Sequence, residues 1–95
     1  MSERKDLIEK NLFIIKWVDS SYPSNSQWEL INEIEEPEQM ICISVGFILK
    51  ETKSDVIMMP HITSVNKERN EMCACGLMTI PKVAILKRTK IKFKL

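Results

Sequence analysis

The stretch that most constrains the fold is residues 41–49, where two kinds of side chain alternate. The odd-numbered positions are all apolar, and the even-numbered ones from 42 to 46 are small: Cys42, Ser44 and Gly46. Successive side chains of an extended chain point to opposite faces, so this pattern predicts a half-buried β-strand. No 3.6-residue periodicity follows residue 39, which argues against a helix-rich fold for the second half of the chain.

Further strand-like segments flank this one. The segment "NLFIIKWVD" (11–19) is rich in β-branched and aromatic residues and apolar on both faces in its first half, which predicts a strand covered on two sides. After residue 49, "VIMMPHIT" (56–63), "MCACGLMTI" (72–80) and "AILKRTKIKFKL" (84–95) predict three more strands. They are separated by a hairpin connection "KETKSD", a charged tip "SVNKERNE" and a tight corner "PKVA".

The remaining segments are a short helix and a long connection. Residues 1–10 can form a helix with Ser2 as its N-cap, and residues 20–38 open with turn formers and close at Pro37. A chain of 95 residues has room for a single domain. Five strands, a leading helix and a proline-containing corner predict a mainly β fold, a five-stranded SH3-like or Sm-like small barrel.

Composition limits the compartment and the partners. The chain is 44% hydrophobic and 28% charged, and it has neither a membrane-length apolar run nor the apolar core of a secretory signal. Three cysteines without a signal fit the reducing cytoplasm and no disulfide. The net charge is +1, but residues 29–38 carry five acidic side chains and no basic one, whereas residues 82–95 carry six basic side chains and no acidic one. One segment therefore repels phosphate and the other attracts it.

The phrases "WVDS" (17–20), "ISVGFILKE" (43–51) and "GLMTIPKVAI" (76–85), in this order, resemble a group of small bacteriophage and marine metagenomic proteins with an Sm-like fold. The resemblance covers residues 11–92. It implies a cyclic homo-oligomer, a pentamer or hexamer, in which the fourth strand of one subunit pairs with the fifth strand of the next. It also implies an RNA-binding face on residues 50–55 and 79–84, and the cytoplasm of an infected host cell as the compartment.

This chain departs from both sequence signatures of that family. The corner has Ile80, Pro81 and Lys82 where the family has an apolar residue, Arg and Gly, and the Asp and Asn of the first signature have no counterparts. Lys82 keeps a positive charge near the family's arginine position.

Metal binding and catalysis have weak signals. Cys73 and Cys75 form a single C-x-C, and His61 and Cys42 are expected on neighbouring strands, whereas structural zinc sites use paired motifs and four ligands. His61 could act as a general base, but no nucleophile or carboxylate at a suitable spacing singles out a triad. We expect buried thiols, no metal, no cofactor and no enzymatic activity.

The aromatic and methionine side chains have a packing interpretation beside a binding one. Trp17 lies in the middle of a predicted strand, which favours the core, while Tyr22 and Trp28 lie in the long connection, where they could equally stack on bases. The methionines of the third and fourth predicted strands are expected to fill the core rather than form a binding surface.

The lysines of the last segment have three possible uses. Lys90, Lys92 and Lys94 alternate with apolar residues, so they share one face of an extended chain. They could contact phosphates, could keep an edge strand soluble, or could contact the acidic segment of a neighbouring subunit.

The function expected from these observations is the binding of RNA or single-stranded nucleic acid by a self-associating protein. Phosphate contacts are expected from Lys82, Lys87, Arg88 and Lys90, base stacking from Tyr22 or Trp28, and further positive charge from Lys50 and Lys53. Two alternatives are a phage protein that sequesters a small cyclic nucleotide used in host defence and a structural module that binds a host protein. No membrane partner is expected.

Overall fold

The structure, a computed structural model, describes residues 3–19, 28–34 and 39–95. It is mainly β, with one short α-helix, and both features were expected from the sequence. None of the helices in the described ranges is long and apolar enough to cross a bilayer. The elements in chain order are α1 (Glu3–Glu9), β1 (Leu12–Asp19), β2 (Met40–Glu51), β3 (Asp55–Met59), β4 (His61–Thr63), β5 (Cys73–Cys75), β6 (Met78–Pro81) and β7 (Ile85–Lys90).

Five of the strands form one antiparallel sheet. Its order is β6-β3-β2-β1-β7, and β4 and β5 form a separate two-stranded sheet. The pairings found among the described residues leave β6 and β7 at the two edges of the larger sheet. The single-turn 3₁₀ helix Lys82–Ala84 connects these two edge strands and forms the corner expected from "PKVA".

Two of the predicted strands are each divided by a bend. Residues 56–63 are divided at Pro60, which has no N–H to continue the ladder, into β3 and β4. Residues 72–80 are divided after Gly76, whose φ of +76° is in the left-handed region that glycine adopts without strain. The two bends touch, because a Cβ on Gly76 would lie 3.1 Å from Pro60 Cγ. Pro60 and Gly76 therefore mark the place where the β4–β5 hairpin separates from the larger sheet.

The last strand is shorter than the alternation of residues 90–95 predicts. β7 ends at Lys90, and the Ile91 N–H still donates to the Leu12 carbonyl at 2.8 Å. Beyond this bond, Phe93 packs against Phe47 with ring centroids 6.0 Å apart. The end of the chain follows side-chain packing and leaves the β-ladder.

The main core cluster lies on one side of the larger sheet, and Ile8 and Met59 are buried outside this cluster. Ile15 in β1 is fully buried, and Phe13 and Trp17 on the same face pack beside it. The prediction that Trp17 contributes to the core is therefore confirmed. The expectation that β1 is covered on both sides holds in part, because Leu12 and Ile14 on the other face are half-buried whereas Lys16 is exposed. The buried core residues of this cluster are Ile15, Ile48, Val56, Met58 and Ile80.

The alternation of β2 is present, but its small-residue side faces the core. Ile41, Ile43 and Val45 are 53%, 69% and 53% exposed, whereas Gly46 and Ile48 are buried. Small residues are needed on the inner side because larger side chains from neighbouring strands occupy the space. A Cβ on Gly46 would lie 3.2 Å from a backbone oxygen of β3, and the Trp17 indole N–H donates to Ser44 Oγ at 3.0 Å.

The methionines divide between core and surface. Met58 and Met59 are each 2% exposed, as expected for core filler, but Met78 is 41% exposed. Ser44 Oγ donates to Met78 Sδ at 3.6 Å, so this methionine lies at the rim of the core. The core interpretation holds for the two methionines of β3 and fails for Met78.

Candidate nucleic-acid interface

Four lysines meet in one cleft beside the end of the chain, which we call the terminal cleft. It has a volume of about 360 Å³. Its lining side chains come from the end of α1 and from the segment after β7: Glu9, Lys10, Lys90, Lys92, Phe93 and Lys94. Phosphate contact is one of the uses that the sequence leaves open for Lys90, Lys92 and Lys94, whereas Lys10 was not among the expected contact residues.

Hydrogen bonds at both ends of the cleft hold the helix beside the terminal segment. The Asn11 side-chain amide donates to the Leu7 carbonyl at 2.8 Å, and the Asn11 carbonyl accepts from the Ile48 N–H at 2.8 Å, which ties the end of α1 to the sheet. The Leu95 N–H donates to a Glu9 carboxylate oxygen at 3.1 Å. The cleft is therefore a consequence of the fold, because the two segments that line it are about 80 residues apart in sequence.

The charges of the terminal cleft are mostly of one sign. Four lysines and one acidic residue, Glu9, line it. Lys10 also lies 3.6 Å from Asp6, but both side chains are well exposed, at 64% and 44%, and an exposed pair of this kind contributes about 1 kcal/mol at most. Converging like charges repel one another and attract an anion, so the cleft favours a phosphate group.

A second group of cations surrounds Glu51, and we call Glu51, Lys82 and Arg88 the Glu51 cluster. The Arg88 guanidinium donates to the Glu51 carboxylate at 2.8 and 3.4 Å, and Lys82 Nζ lies 3.4 Å from it. The Arg88 hydrogen bond, with a smaller contribution from Lys82, holds the pKa of Glu51 below its ordinary value. The guanidinium also lies over the Phe13 ring, 5.0 Å from its centroid. Both cations therefore have an anionic partner within the protein.

The two segments that the resemblance assigns to an RNA-binding face do lie together. The Lys82 N–H donates to the Ser54 carbonyl at 2.8 Å, and Asp55 pairs with Pro81 between β3 and β6. The β2–β3 turn is closed by Thr52, whose hydroxyl oxygen accepts from the Asp55 N–H at 3.0 Å. This contact places the exposed Lys53 next to the Glu51 cluster in the same corner of the fold.

The structure separates the other expected contact residues. Lys87 pairs with Lys16 of β1 on the face opposite to Arg88, because successive residues of a strand alternate sides. Lys50 likewise precedes Glu51 and lies on the other face of β2. Trp28 is fully exposed and is not among the residues that line the terminal cleft. Tyr22 lies outside the described residues.

Two members of the cleft have no local signal in the sequence. Lys10 is a single lysine at the end of a helix, and only the packing of α1 against the end of the chain brings it near Lys92 and Lys94. Phe93 both contacts Phe47 and lines the cleft. Tertiary contacts rather than spacing therefore define the site.

The thiols and the single histidine lie away from these cations in the topology. Cys42 is in β2, whereas Cys73 and Cys75 are in β5, where they are exposed and pair with Thr63 and His61. The expectation of buried thiols is therefore wrong for both β5 cysteines, because the small sheet leaves that strand open to solvent. In the ranges 3–19, 28–34 and 39–95, no three His, Cys, Asp or Glu side chains are grouped as metal ligands.

No family model, curated protein or solved structure matches this chain.

Proposed function

We propose that this protein is a non-enzymatic nucleic-acid-binding protein that holds the phosphates of RNA or single-stranded DNA in its terminal cleft. The observation that carries the proposal is the convergence of Lys10, Lys90, Lys92 and Lys94 on one cleft that contains a single carboxylate. Lysine side chains on a groove that tracks a phosphate backbone are typical of sequence-tolerant single-strand binding.

Phe93 gives the cleft an apolar wall beside these cations. Its ring is half-buried and packed against Phe47, so its orientation is fixed before a ligand arrives. A base or sugar can lie against such a ring while its phosphates contact the lysines, and base–aromatic stacking contributes about 1–3 kcal/mol. In this proposal Phe93 has the role that the sequence assigned to Tyr22 or Trp28.

The Glu51 cluster extends the positive surface along the same side of β7. Arg88 and Lys90 alternate with outward residues, so both lie on the face that carries Phe13 and Ile15. Because Glu51 offsets part of the charge of Arg88 and Lys82, their phosphate contacts are weaker than those of the cleft lysines. Lys53 adds one exposed cation at the β2–β3 turn.

The proposal includes the finer fold, an Sm-like barrel that assembles into a closed ring. It is supported by the strand order, by the 3₁₀ corner between β6 and β7, and by the position of these two strands at the edges of the larger sheet. Edge strands with unpaired N–H and C=O groups associate readily with other edges.

Salt dependence tests the nucleic-acid part. Four phosphate contacts on a single strand give a slope of about −2.8 in log affinity against log salt, so affinity for a short single-stranded RNA should fall about 50-fold between about 50 and 200 mM salt. The double variant Lys92→Gln/Lys94→Gln should lower the slope by about 1.4, because two contacts are lost.

The matched control is Lys50→Gln/Lys53→Gln, which removes the same charge from residues that do not line the terminal cleft and should therefore lower the slope less than the cleft variant does. Equal losses in the two variants would mean that net charge, and not the terminal cleft, determines binding. Absence of salt-sensitive binding in the wild-type protein would contradict the proposal.

A second candidate is the capture of a small cyclic nucleotide. A volume of about 360 Å³ is within the range of small-molecule sites, about 300–1,000 Å³, so the cleft can accept one nucleotide without a polymer. Calorimetric titration with a cyclic dinucleotide separates the two functions. Saturable uptake of the dinucleotide together with no oligonucleotide binding would favour the second.

A further inference from the structure

The sheet has an apolar face that the described part of the chain does not cover, and we call it the outer face. It consists of Ile41, Ile43 and Val45 of β2 with the half-buried Ile14 and Val18 of β1. The register joins them into one patch, because Ile14 pairs with Val45 and Val18 pairs with Ile41. A contiguous exposed apolar patch on a folded protein marks an interaction surface more often than a scattered one does.

Two lysines border this patch. Lys16 lies between Ile43 on β2 and Lys87 on β7, so the two lysines are direct cross-strand neighbours on the outer face. Like charges in this position destabilise a sheet. Within the described residues, neither lysine is in an ion pair. The outer face therefore combines an apolar patch with an unbalanced pair of positive charges, and it would be stabilised by an apolar, acidic partner.

Residues 28–34, which we call the arm, have this chemistry. Trp28, Leu30, Ile31 and Ile34 are 104%, 69%, 85% and 59% exposed. Glu29 and Glu33 lie between them, and the single 3₁₀ turn Ile31–Glu33 contains no buried residue. An apolar segment with two acidic side chains matches the outer face in both polarity and charge.

The exposures indicate that the two surfaces do not meet within one chain, because the apolar side chains of the arm and those of β2 on the outer face are all more than half exposed. The radius of gyration is 17.9 Å and the longest dimension is 61 Å, against 23 and 21 Å in the other directions. A compact domain of this length has a radius of gyration of about 12 Å. An elongated chain that leaves both the arm and the outer face exposed can cover them by exchange with another copy.

We propose that the arm of one copy docks on the outer face of a second copy, with Glu29 and Glu33 opposite Lys16 and Lys87. This contact deepens the self-association included in the proposed function, uses a surface different from the strand edges, and does not depend on nucleic-acid binding. Each copy can donate its arm and accept the arm of another copy. A dimer then contains two arm–face contacts, and a ring contains one between each pair of neighbouring subunits.

Charge exchange between two variants tests the contact. The arm variant Glu29→Lys/Glu33→Lys and the face variant Lys16→Glu/Lys87→Glu each place like charges across the proposed contact, so each alone should associate at least about tenfold more weakly than the wild type. In an equimolar mixture every arm again finds a face of opposite charge. Mixing should therefore restore association to the wild-type level, as measured by sedimentation velocity at low salt.

The mixing step distinguishes exchange from an arm that folds onto its own chain, because a contact within one chain cannot be restored by another molecule. Matched controls are Lys53→Glu and Glu68→Lys, which change exposed charges elsewhere and should leave association unchanged. Recovery in the mixture also shows that both variants are folded.

Three results would overturn the inference. The first is a wild-type protein that stays monomeric at about 100 μM, a concentration that reveals contacts of even modest affinity. The second is an oligomer whose association is unchanged in both the arm variant and the face variant, which would favour assembly through the strand edges instead. The third is a face variant that loses RNA affinity without any change in association, which would make Lys16 and Lys87 phosphate contacts instead.

Discussion

Two isoleucines of β2 allow a direct test of which side of the strand faces the core. Ile43 is 69% exposed, whereas Ile48 is 6% exposed and packs in the core cluster with Ile15 and Val56. The same substitution, Ile→Thr, keeps the β-branched shape at both sites, so a difference in strand propensity does not obscure the result.

The expected costs differ by several kcal/mol. At Ile48 the change removes one buried methylene, worth about 0.8 kcal/mol, and buries a hydroxyl without a partner, worth about 1–3 kcal/mol. The free energy of unfolding should therefore fall by about 2–4 kcal/mol. At Ile43 the change is on the surface and should alter it by about 0.5 kcal/mol or less.

Thermal unfolding followed by circular dichroism measures both variants against the wild type. For a domain of this size 1 kcal/mol corresponds to about 4–8 °C, so a loss of about 3 kcal/mol in the Ile48 variant should lower the Tm by roughly 12–24 °C. The Tm of the Ile43 variant should change by less than about 4 °C at a concentration where sedimentation shows monomers. A larger loss at Ile43 than at Ile48 would refute the assigned orientation of β2.

Other predictions concern Glu51, Gly76 and Ser64. Glu51→Gln should lower stability at neutral pH by no more than about 1 kcal/mol, because the pairs it loses are exposed. Since the pKa of Glu51 is lowered in the folded protein, the difference between wild type and variant should be present at neutral pH and disappear as the pH falls through that lowered value; a difference that grows in acid would contradict this. Gly76→Ala should cost about 1–2 kcal/mol in denaturant unfolding, because alanine is strained at φ +76° and its Cβ would crowd Pro60. Ser64→Gly, at φ 59°, should change stability by only about 0.5 kcal/mol, since relief of strain offsets the added flexibility of the unfolded chain; equal losses at the two sites would show that backbone strain is not the cause.

Strand positions could be predicted from the sequence because alternation and turn residues are local signals. The β2–β3 turn, the 3₁₀ corner at Lys82–Ala84 and the order of five extended segments all follow from such signals. The bends at Pro60 and Gly76 also have local causes, but the division of the hairpin into a second sheet depends on the contact between these two residues.

The orientation of β2 and the composition of the terminal cleft could not be predicted in the same way. Hydrophobicity alone places the face with Ile43 in the core, and the opposite result arises because Trp17 and the backbone of β3 need the space beside Ser44 and Gly46. The cleft joins Lys10 to the last residues of the chain, a contact between distant segments that no local pattern encodes.

The measurement that tests the account most directly is an NMR titration of the isotope-labelled protein with a short single-stranded RNA, monitored through the backbone amides. The largest shift changes should occur in residues 90–94 and at Lys10, which line the terminal cleft. Changes confined to the outer face around Lys16 and Lys87, or no saturable change anywhere, would contradict it.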